Sequence, residues 1–222
     1  MGLVCNWFKS QKNMLDFTLP ENRRKLFIEI ALRRCRPGSG SSREFLQKRT
    51  WKRPVTNLNN LIKKTPFVVV SGIATRLYMP ERMTDDLDIL VLTADAEELY
   101  QQLKKAGSKR VRELSISGKN WQLPDGTSLN VIESQELWVE KAVNNPNIAP
   151  DGLPIIDLPY LILMKMKASR SIDMGDLGRM LGAADDRALI EIRKVIKTYL
   201  PDAVEDLESS IYLGKLEYEN PT

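Results

Sequence analysis

Residues 68–92, VVVSGIATRLYMPERMTDDLDILVL, decide the fold of this chain. Two runs at their ends, FVVV and DLDILVL, predict strands, because each is a short series of apolar, strand-favouring residues bounded by turn residues. The segment between them, IATRLYM, predicts a short helix that ends at Pro80. The second strand begins with Asp86 and Asp88, whose side chains point to one face with Cα atoms about 6.5–7 Å apart. Paired negative charge therefore stands where a buried strand opens toward solvent.

The two aspartates repel each other unless a cation lies between them. At roughly 6 Å the repulsion is about 3 kcal/mol for an effective dielectric constant near 20. A divalent cation reverses the sign, and Mg²⁺ commonly takes one or two carboxylates together with the phosphates of a substrate. The sequence therefore predicts that Asp86 and Asp88 bind Mg²⁺, or Mn²⁺ in its place.

A small-residue turn precedes the short helix and predicts a phosphate site. Gly72 permits a sharp turn between strand and helix, Ser71 adds a hydroxyl group, and the first amides of a helix attract anions. Each signal is common when it occurs alone: an Asp-x-Asp at a strand end is usually solvated surface, and Ser-Gly after a strand is usually a plain turn. Their combination is what favours a nucleotide site.

Composition excludes several kinds of chemistry. The 222 residues contain no histidine, which removes an imidazole base, a Ser-His triad and a His-ligated zinc ion. Cys5 and Cys35 are far apart and read as free thiols. No apolar run reaches the length of a membrane span, and the first residues lack a secretory signal pattern. We therefore expect a cytoplasmic protein without a membrane partner.

Charge is distributed unevenly along the chain. Residues 1–80 hold 16 Lys and Arg against 4 Asp and Glu, a net charge of +12, whereas residues 81–222 hold 17 against 25, a net charge of −8. A basic block of this kind either contacts nucleic acid or forms a solvated arm. Within it, PENRRKLFIEIALRR has a helical pattern and precedes the Gly/Ser-rich CRPGSGSSREF, so residues 1–45 are either a helical arm or an unpacked extension.

The remaining pattern predicts an α+β fold. An amphipathic helix, ADAEELYQQLKKAG, should stop at Gly107. Two further strand segments, VRELSIS and NWQLPDGTSLNVIES, follow it, and Asp125-Gly126 suits the tight turn of a hairpin. After about residue 135 the pattern is helical to the end of the chain, with Asp157 as an expected N-cap.

The spacing SGIA…ERMTDDLDILV resembles the DNA polymerase β-like nucleotidyltransferase superfamily. Its minimal members read Gly-[Gly/Ser]-x-Ala and then Arg-x-Thr-x-Asp-hydrophobic-Asp. The first element is matched at 71–74, with serine in place of the first glycine. The second element is matched in full by Arg82, Thr84, Asp86, Leu87 and Asp88. The resemblance implies transfer of a nucleoside monophosphate from a nucleoside triphosphate to an acceptor, with release of pyrophosphate.

The resemblance also implies a role for each matched position. Asp86 and Asp88 would hold the metal and act in catalysis. Nucleotide and phosphate contacts would come from Ser71, Gly72, Arg82 and Thr84. Pattern and resemblance together predict three parts: a basic N-terminal extension at 1–50, a nucleotidyltransferase core with a small mixed sheet flanked by helices at 51–135, and a helical region at 136–222 that completes the cleft. The resemblance itself says nothing about residues 1–45.

A second segment is similar to the branch that contains abortive-infection nucleotidyltransferase toxins, in which Lys-x-x-[Lys/Arg] precedes Asp-x-x-Asp. Here KMKASRSIDMGDL offers Lys165, Lys167, Arg170, Asp173 and Asp176. The resemblance implies a catalytic Lys165 and Asp176 and a phosphate-binding Lys167. On one continuous helix Lys165 and Asp176 would share a face. Only Lys167 has an arginine at the required spacing, so it stays open which lysine belongs to the site. It also stays open whether Asp173 is only a helix cap.

One position departs from the family pattern. Many relatives carry a third carboxylate on the strand after the Asp-Gly hairpin, where this chain has Asn130. Asparagine can accept a metal contact but cannot serve as a base. Glu133 would face the opposite side of a regular strand and is a poor replacement. If the third acid is essential the protein is impaired, whereas Asp176 would supply the acid if the toxin-like branch is the better guide.

Three functions follow from these observations. The first is a metal-dependent nucleotidyltransferase whose acceptor is tRNA or another RNA, a protein or a small molecule, and which could be the toxin of a toxin-antitoxin system, with an antitoxin as partner. The second is a catalytically impaired nucleotide- or RNA-binding protein on the same fold, suggested by Asn130 and the basic front third. The third is an interaction protein that acts by binding alone.

Overall fold

A computed structural model describes residues 16–38, 40–52, 55–84 and 86–219. The fold class is α+β, as expected: a seven-stranded mixed sheet is flanked by helices and followed by a helical C-terminal region. The strands are β1 (Val68–Val69), β2 (Leu87–Leu92), β3 (Lys109–Glu113), β4 (Gly118–Gln122), β5 (Ser128–Ser134), β6 (Asn147–Ile148) and β7 (Pro154–Ile155).

The described helices fall into a group before the last strand and a group after it. The first group is α1 (Pro20–Arg34), α2 (Arg43–Gln47), α3 (Ser71–Ala74), α4 (Ala96–Lys105) and α5 (Leu137–Asn144). The second group is α6 (Leu158–Ala168), α7 (Ser171–Ala183), α8 (Asp186–Tyr199) and α9 (Val204–Tyr218). Short 3₁₀ turns lie at Leu58–Asn60, Thr75–Leu77, Thr93–Asp95 and Pro201–Ala203.

The strand order is β3-β4-β5-β2-β1-β7-β6, which places β2 near the middle of the sheet. It pairs in parallel with β5 and antiparallel with β1. Ile89 and Val91 are fully buried on one face, as the apolar pattern of β2 requires. Asp88 lies on the other face, opposite Asn130 of β5. The register therefore sets the position of the third acid beside the second aspartate.

Several local predictions are confirmed and one is wrong. Gly107, with φ 87°, follows the end of α4. Gly126, with φ 88°, lies in the turn between β4 and β5. Asp157 is the N-cap of α6, its side chain accepting a hydrogen bond from the amide of Leu158. The segment after residue 135 is not wholly helical, because β6 and β7 extend the sheet beyond β1.

The helical arm within the basic extension is packed. In α1, Arg24 is 3% exposed and donates to the Met166 carbonyl oxygen (2.8 Å) and to Asp206 Oδ2 (2.6 Å). Arg23 donates to the carbonyl oxygens of Ala168 (3.0 Å) and Ser169 (3.2 Å). These carbonyls belong to the end of α6, where a helix leaves acceptors unsatisfied. Part of the basic block therefore supports the helical region, while residues 1–15, including Cys5, lie outside the described residues.

The connection between α6 and α7 corrects the assumption of a single helix. Ser169 has φ 48°, in the left-handed region, and ends α6, while α7 begins two residues later. The side-chain oxygen of Ser169 donates to the Met166 carbonyl (2.5 Å) and accepts from Arg24 (3.2 Å), which stabilises the break. Lys165 and Asp176 consequently lie on different helices.

Two helices of the C-terminal region approach closely enough to require glycine. A Cβ atom on Gly214 of α9 would lie 2.3 Å from the carbonyl oxygen of Gly178 on α7. A Cβ atom on Gly182 would lie 2.4 Å from the Gly214 carbonyl oxygen. This contact fixes α7 against α9. In the described part of the chain no helix is both long and apolar enough to cross a membrane.

Candidate functional site

A cleft of about 440 Å³ lies between the sheet and helices α6 and α7. Its polar lining consists of Ser71, Asp86, Asp88, Ser115, Asn130, Lys165, Arg170 and Asp173. Its apolar lining consists of Leu114, Ile116, Ile132, Leu161, Met164 and Ala168. Segments far apart in sequence thus meet in one hollow, with acids on the strand side and cations on the helix side.

The strand side of the cleft presents the carboxylates of Asp86 and Asp88. Asp86 is exposed and precedes β2, and Asp88 is half-buried within it. Asp88 Oδ1 accepts a hydrogen bond from Asn130 Nδ2 at 2.8 Å. Within the described residues neither aspartate forms a salt bridge. Both carboxylates are therefore available to a ligand that carries positive charge.

Asn130 lies beside Asp88, at the position where the sequence pattern led us to look for a third acid. Its amide nitrogen donates to Asp88, and its Oδ1 accepts from Asn120 Nδ2 at 2.8 Å. One of the two lone pairs of this amide oxygen is thus taken by a neighbour on β4. Glu133 lies on the opposite face of β5, where the hydroxyl of Tyr100 on α4 donates to it. Among the described residues, Asp86 and Asp88 are the acids that line the cleft on its strand side.

The first motif element and the threonine of the second one touch each other. A Cβ atom on Gly72 would lie 2.8 Å from Thr84 Oγ1 and 2.9 Å from Thr84 Cβ, so only glycine leaves room for the threonine. Gly72 is buried under this contact, and of the two turn residues only Ser71 lines the cleft. Ser71 has φ 56°, a left-handed conformation that is rare for residues other than glycine. The α3 helix has four residues, too few for a substantial dipole.

The helix side contains a buried group of alternating charges, which we call the ionic cluster: Arg82, Lys165, Arg170, Asp173 and Asp176. Lys165 Nζ donates to Asp173 Oδ1 (3.1 Å) and to Asp176 Oδ2 (2.7 Å). Arg82 binds both oxygens of Asp176, at 3.0 Å for the Nε–Oδ1 and Nη2–Oδ2 contacts. The side chain of Asp176 is 4% exposed and lies outside the cleft lining, so its oxygens are committed to the protein.

Arg170 and Asp173 form the part of the ionic cluster that meets the cleft. Asp173 Oδ2 accepts from the Arg170 amide and Nε, as a helix cap and as an ion pair. Burial acts to raise the pKa of Asp173, but Arg170 and Lys165 outweigh it and hold that pKa below its usual value. The hydrogen bond that Arg170 donates to Asp173 raises the pKa of Arg170, whose side chain stays 64% exposed. Arg170 is therefore an accessible cation facing the aspartates.

The cluster separates residues that the sequence patterns had grouped. Lys165 and Arg170 line the cleft, whereas Lys167 lies outside its lining and pairs with Glu136. Arg82 and Thr84 are held by Asp176 and Gly72 and do not line the cleft either. Asn120 and the apolar wall from α6 had no motif to mark them. Only the alternation of polar residues in β4 and β5 could have placed Asn120 beside Asn130.

The donor set suits a magnesium ion that is completed by a substrate. No group of three or more His, Cys, Asp or Glu side chains able to hold a metal occurs in the described ranges. Two carboxylates in an open cleft are nevertheless the usual protein share of a Mg²⁺ site, since phosphates and water supply the remaining oxygens. Asp86 and Asp88 therefore fit such an ion when a polyphosphate is present.

Comparisons with known proteins give distant structural similarity only. No family model matches the chain, and no curated protein sequence matches it. The structure of ANT(2″)-Ia in complex with adenylyl-2″-tobramycin is 16% identical with a TM-score of 0.39, covering 68% of this chain and 88% of that one. The solution structure of the antibiotic-resistance factor ANT(2″)-Ia is 15% identical with a TM-score of 0.38, covering 68% and 83%.

A third similar structure is that of a cytoplasmic RNA terminal U-transferase, 13% identical with a TM-score of 0.27, covering 73% of this chain and 43% of that chain. All three are nucleotide-transferring proteins by their names. With identities of 16% or less and TM-scores of 0.39 or less, the function has to be argued from the cleft itself.

Proposed function

We propose that this chain is a Mg²⁺-dependent nucleotidyltransferase that uses a nucleoside triphosphate as donor, with Mn²⁺ as an alternative ion. One observation carries the proposal: Asp86 and Asp88, which form no salt bridge with a described residue, lie on one wall of a cleft whose other wall presents Arg170 and Lys165. A metal-bound triphosphate has the complementary distribution, a cation toward the aspartates and negative oxygens toward the basic side chains.

The reaction is transfer of a nucleoside monophosphate. An acceptor hydroxyl oxygen forms a bond to the α-phosphorus, the bond between the α-phosphorus and the bridging oxygen to the β-phosphate breaks, pyrophosphate leaves, and the hydroxyl proton passes to solvent. Arg170 would bind the departing phosphates, with Lys165 adding positive charge behind it. The hydroxyl of Ser71 is placed to donate to a phosphate oxygen. Leu161 and Met164 provide an apolar wall that excludes water from one side.

Asp86 and Asp88 would hold the Mg²⁺ ion. When bound, the ion neutralises the charge of the phosphates and aligns them for attack. Asn130 donates to Asp88 and so fixes the orientation of that carboxylate. Two carboxylates, rather than three, would then be sufficient for positioning.

Substitution of each aspartate by asparagine tests the proposal. Asp86→Asn and Asp88→Asn should each lower nucleotide transfer by at least about 10²–10³-fold, the scale of losing one preorganised electrostatic contact. The measurement is incubation with each labelled nucleoside triphosphate, Mg²⁺ or Mn²⁺, and total cellular RNA and protein, followed by detection of labelled products. Because Asp86 is exposed and neither acid is ion-paired, the free energy of unfolding should change by less than about 1 kcal/mol.

Glu140→Gln, an exposed acid on α5 outside the cleft, serves as the charge-matched control and should leave transfer unchanged. Transfer by both aspartate variants at the wild-type rate would contradict the mechanism. If the asparagine variants lose transfer because they unfold, Asp88→Glu tests the assignment instead. This variant keeps the negative charge and should still be stabilised against heat by a triphosphate together with the metal ion.

A second function is favoured by one observation, the hydrogen bond from Asn120 that occupies the oxygen of Asn130. A protein with asparagine in place of a third acid beside Asp88 could bind a nucleotide and not turn it over. This alternative predicts Mg²⁺-linked thermal stabilisation by a triphosphate without any labelled product. Asn130→Asp would then produce transfer where the wild type shows none. A wild-type protein that transfers nucleotides excludes it.

The toxin role and the antitoxin partner implied by the abortive-infection branch stay predictions. Induced expression of the wild type should then arrest growth, and expression of Asp88→Asn should not. Growth at the same rate in both cases would contradict the toxin role without affecting the transfer assay.

A further inference from the structure

One row of side chains crosses the sheet from the cleft to its outer edge. Asp88 lies opposite Asn130, Asn130 opposite Asn120, and Asn120 opposite Arg112 of β3. Residues paired across strands carry their side chains on the same face. The hydrogen bonds that join Asn120 to Asn130 and Asn130 to Asp88 agree with this placement. Arg112 therefore stands at the outer end of a row that begins at the proposed metal site.

A register shift in β3 creates this placement. Arg110 pairs with Trp121 and Arg112 with Asn120, so two steps along β3 correspond to one step along β4. Arg110 consequently faces the α4 side, as Trp121 does, and forms an ion pair with Glu113. Without the shift Arg110 and Arg112 would share a face. The bulge thus turns one arginine away from the cleft face and keeps the other on it.

A second cation lies on the same face. Lys109 is paired with Gln122, and Gln122 is paired with Ser128. Gln122 and Ser128 are two residues from Asn120 and Asn130 along their strands, so all of these side chains lie on the same face. Lys109 and Arg112 are both exposed, and neither forms an ion pair with any described residue. On the cleft face of the β3–β4 ribbon the side chains are two cations and two amides, with no acid. We name Lys109 and Arg112 the β3 rim.

The β3 rim is continuous with the cleft. The strand ends at Glu113, and the residues that follow it, Leu114, Ser115 and Ile116, line the cleft beside the aspartates. Three strand spacings separate Asp88 from Arg112, a distance of about 14–15 Å. At about 3.4 Å for each nucleotide of a stacked strand, this distance corresponds to roughly four nucleotides. A polycationic acceptor would be repelled by the rim.

We propose that the β3 rim binds the sugar-phosphate backbone of a single-stranded polynucleotide whose terminal hydroxyl group reaches Asp86 and Asp88. The proposal deepens the nucleotidyltransferase function by naming the acceptor class, and it rests on that function for the reaction at the terminus. Binding of the strand itself does not require turnover. Charged side chains on an edge strand also hinder pairing with other sheets, and this is the alternative that the experiment must separate.

The test measures binding of fluorescein-labelled 12-nucleotide single-stranded RNA and DNA by anisotropy, without nucleoside triphosphate, across a series of salt concentrations. Lys109→Gln/Arg112→Gln should weaken binding at least about tenfold. The slope of log affinity against log salt should become less negative by about 1.4, or 0.7 for each lost phosphate contact on a single strand. A dinucleotide is too short to reach from Asp88 to the rim, so its binding should not respond to the double substitution.

The matched control is Lys104→Gln/Lys105→Gln, which removes two exposed cations from α4 on the opposite face of the sheet. It should leave both the affinity and the salt slope unchanged. Equal weakening by the two double variants would show only a general effect of net charge and would overturn the proposal. Wild-type affinity in Lys109→Gln/Arg112→Gln would overturn it as well, and aggregation of that variant on gel filtration with unaltered RNA binding would assign the charges to edge protection.

Failure of this proposal is distinguishable from failure of the proposed function. Nucleotide transfer to a protein or small molecule, with no binding of RNA or DNA, would contradict the proposed role of the β3 rim and support the proposed transferase function. Binding of the strand that depends on the rim, without any transfer, would support the proposed role of the rim and contradict the proposed transferase function. Asp88→Asn should bind the 12-nucleotide strand as the wild type does and should fail to extend it.

Discussion

The two walls of the cleft use the same residue types in opposite ways. On the strand side, Asp88 accepts a hydrogen bond from the Asn130 amide, and neither Asp86 nor Asp88 forms a salt bridge with a described residue. On the helix side, Asp173 and Asp176 are almost fully buried and are bound by lysine and arginine. An acid that the protein has already neutralised holds structure together, whereas an acid left unpaired at an opening is available to a ligand. Charge compensation, more than residue identity, separates the two.

The comparison extends to Asp176, which a motif alone would assign to catalysis. Its two oxygens accept from Arg82 and Lys165, which join the β1–β2 connection to α6 and α7. The ionic cluster therefore ties the strand side of the molecule to the helix side. We interpret Asp176 as a residue that positions Lys165 in the cleft wall, without contact to the substrate.

The largest expected effect is on stability and concerns Asp176. Asp176→Asn should lower the free energy of unfolding by about 3–5 kcal/mol, because the partly buried Arg82 loses its carboxylate and the buried Lys165 loses one of its two. Glu208→Gln is the matched control: its carboxylate also binds an arginine, Arg193, at 2.6 Å, but both side chains are 44–47% exposed. That substitution should cost at most about 1 kcal/mol. Urea denaturation measures both, and equal losses would remove the distinction between the walls.

Acid should weaken the helix side through Asp173. Its pKa is held below the ordinary value of 3.8 in the folded protein, so the unfolded chain binds protons first as the pH falls. The stabilisation from Asp173 is therefore fully present above about pH 5 and is lost as the pH drops through the unfolded pKa toward the lowered folded pKa. Arg170, Lys165 and Asp176 are the charged groups that face it.

Asp173→Asn isolates this contribution. The variant should be less stable than the wild type at pH 7, and the difference in the free energy of unfolding should shrink between pH 5 and pH 3. Denaturation at a series of pH values measures the difference. A difference that stays constant down to pH 3 would mean that Asp173 acts as a helix cap and not as a charge partner.

The sequence predicted those parts of the fold that depend on local pattern. The strands around Asp86 and Asp88, the hairpin at Asp125-Gly126 and the cap at Asp157 all follow from periodicity or from residues with a single conformational preference. The α+β class followed from them. The bringing together of Ser71, Asp86 and Asp88 at one cleft was expected from the spacing of strand, turn and strand, and their roles stay predictions.

Features that depend on tertiary contacts could not be predicted from the sequence. The strands β6 and β7 have two residues each and exist because β1 offers an edge to pair with. The break at Ser169 contains neither glycine nor proline, and it is held by Arg24 from a segment that read as an appendage. The sequence gives no reason to treat Asp173 and Asp176 differently. In the structure they differ because Asp176 binds Arg82 and Asp173 binds Arg170.

The smallest expected effect compares two serines that adopt the left-handed conformation, one on each side of the cleft. Ser71 has φ 56° and Ser169 has φ 48°. The hydroxyl of Ser71 makes no hydrogen bond within the described residues, whereas that of Ser169 bonds to the Met166 carbonyl and to Arg24. Backbone strain at Ser71 is thus uncompensated by any contact of its side chain, as expected where a hydroxyl is reserved for a ligand.

Glycine substitutions should therefore act in opposite directions. Ser71→Gly relieves the left-handed strain and should raise the free energy of unfolding by about 0.5–1 kcal/mol. Ser169→Gly relieves the same strain but removes buried hydrogen bonds, so a net loss of about 1 kcal/mol is expected. Ser71→Ala removes the hydroxyl and keeps the strain, and it should give no gain. If Ser71→Gly destabilised the protein as Ser169→Gly does, the Ser71 hydroxyl would be part of the fold, and its assignment to a phosphate would lose its basis.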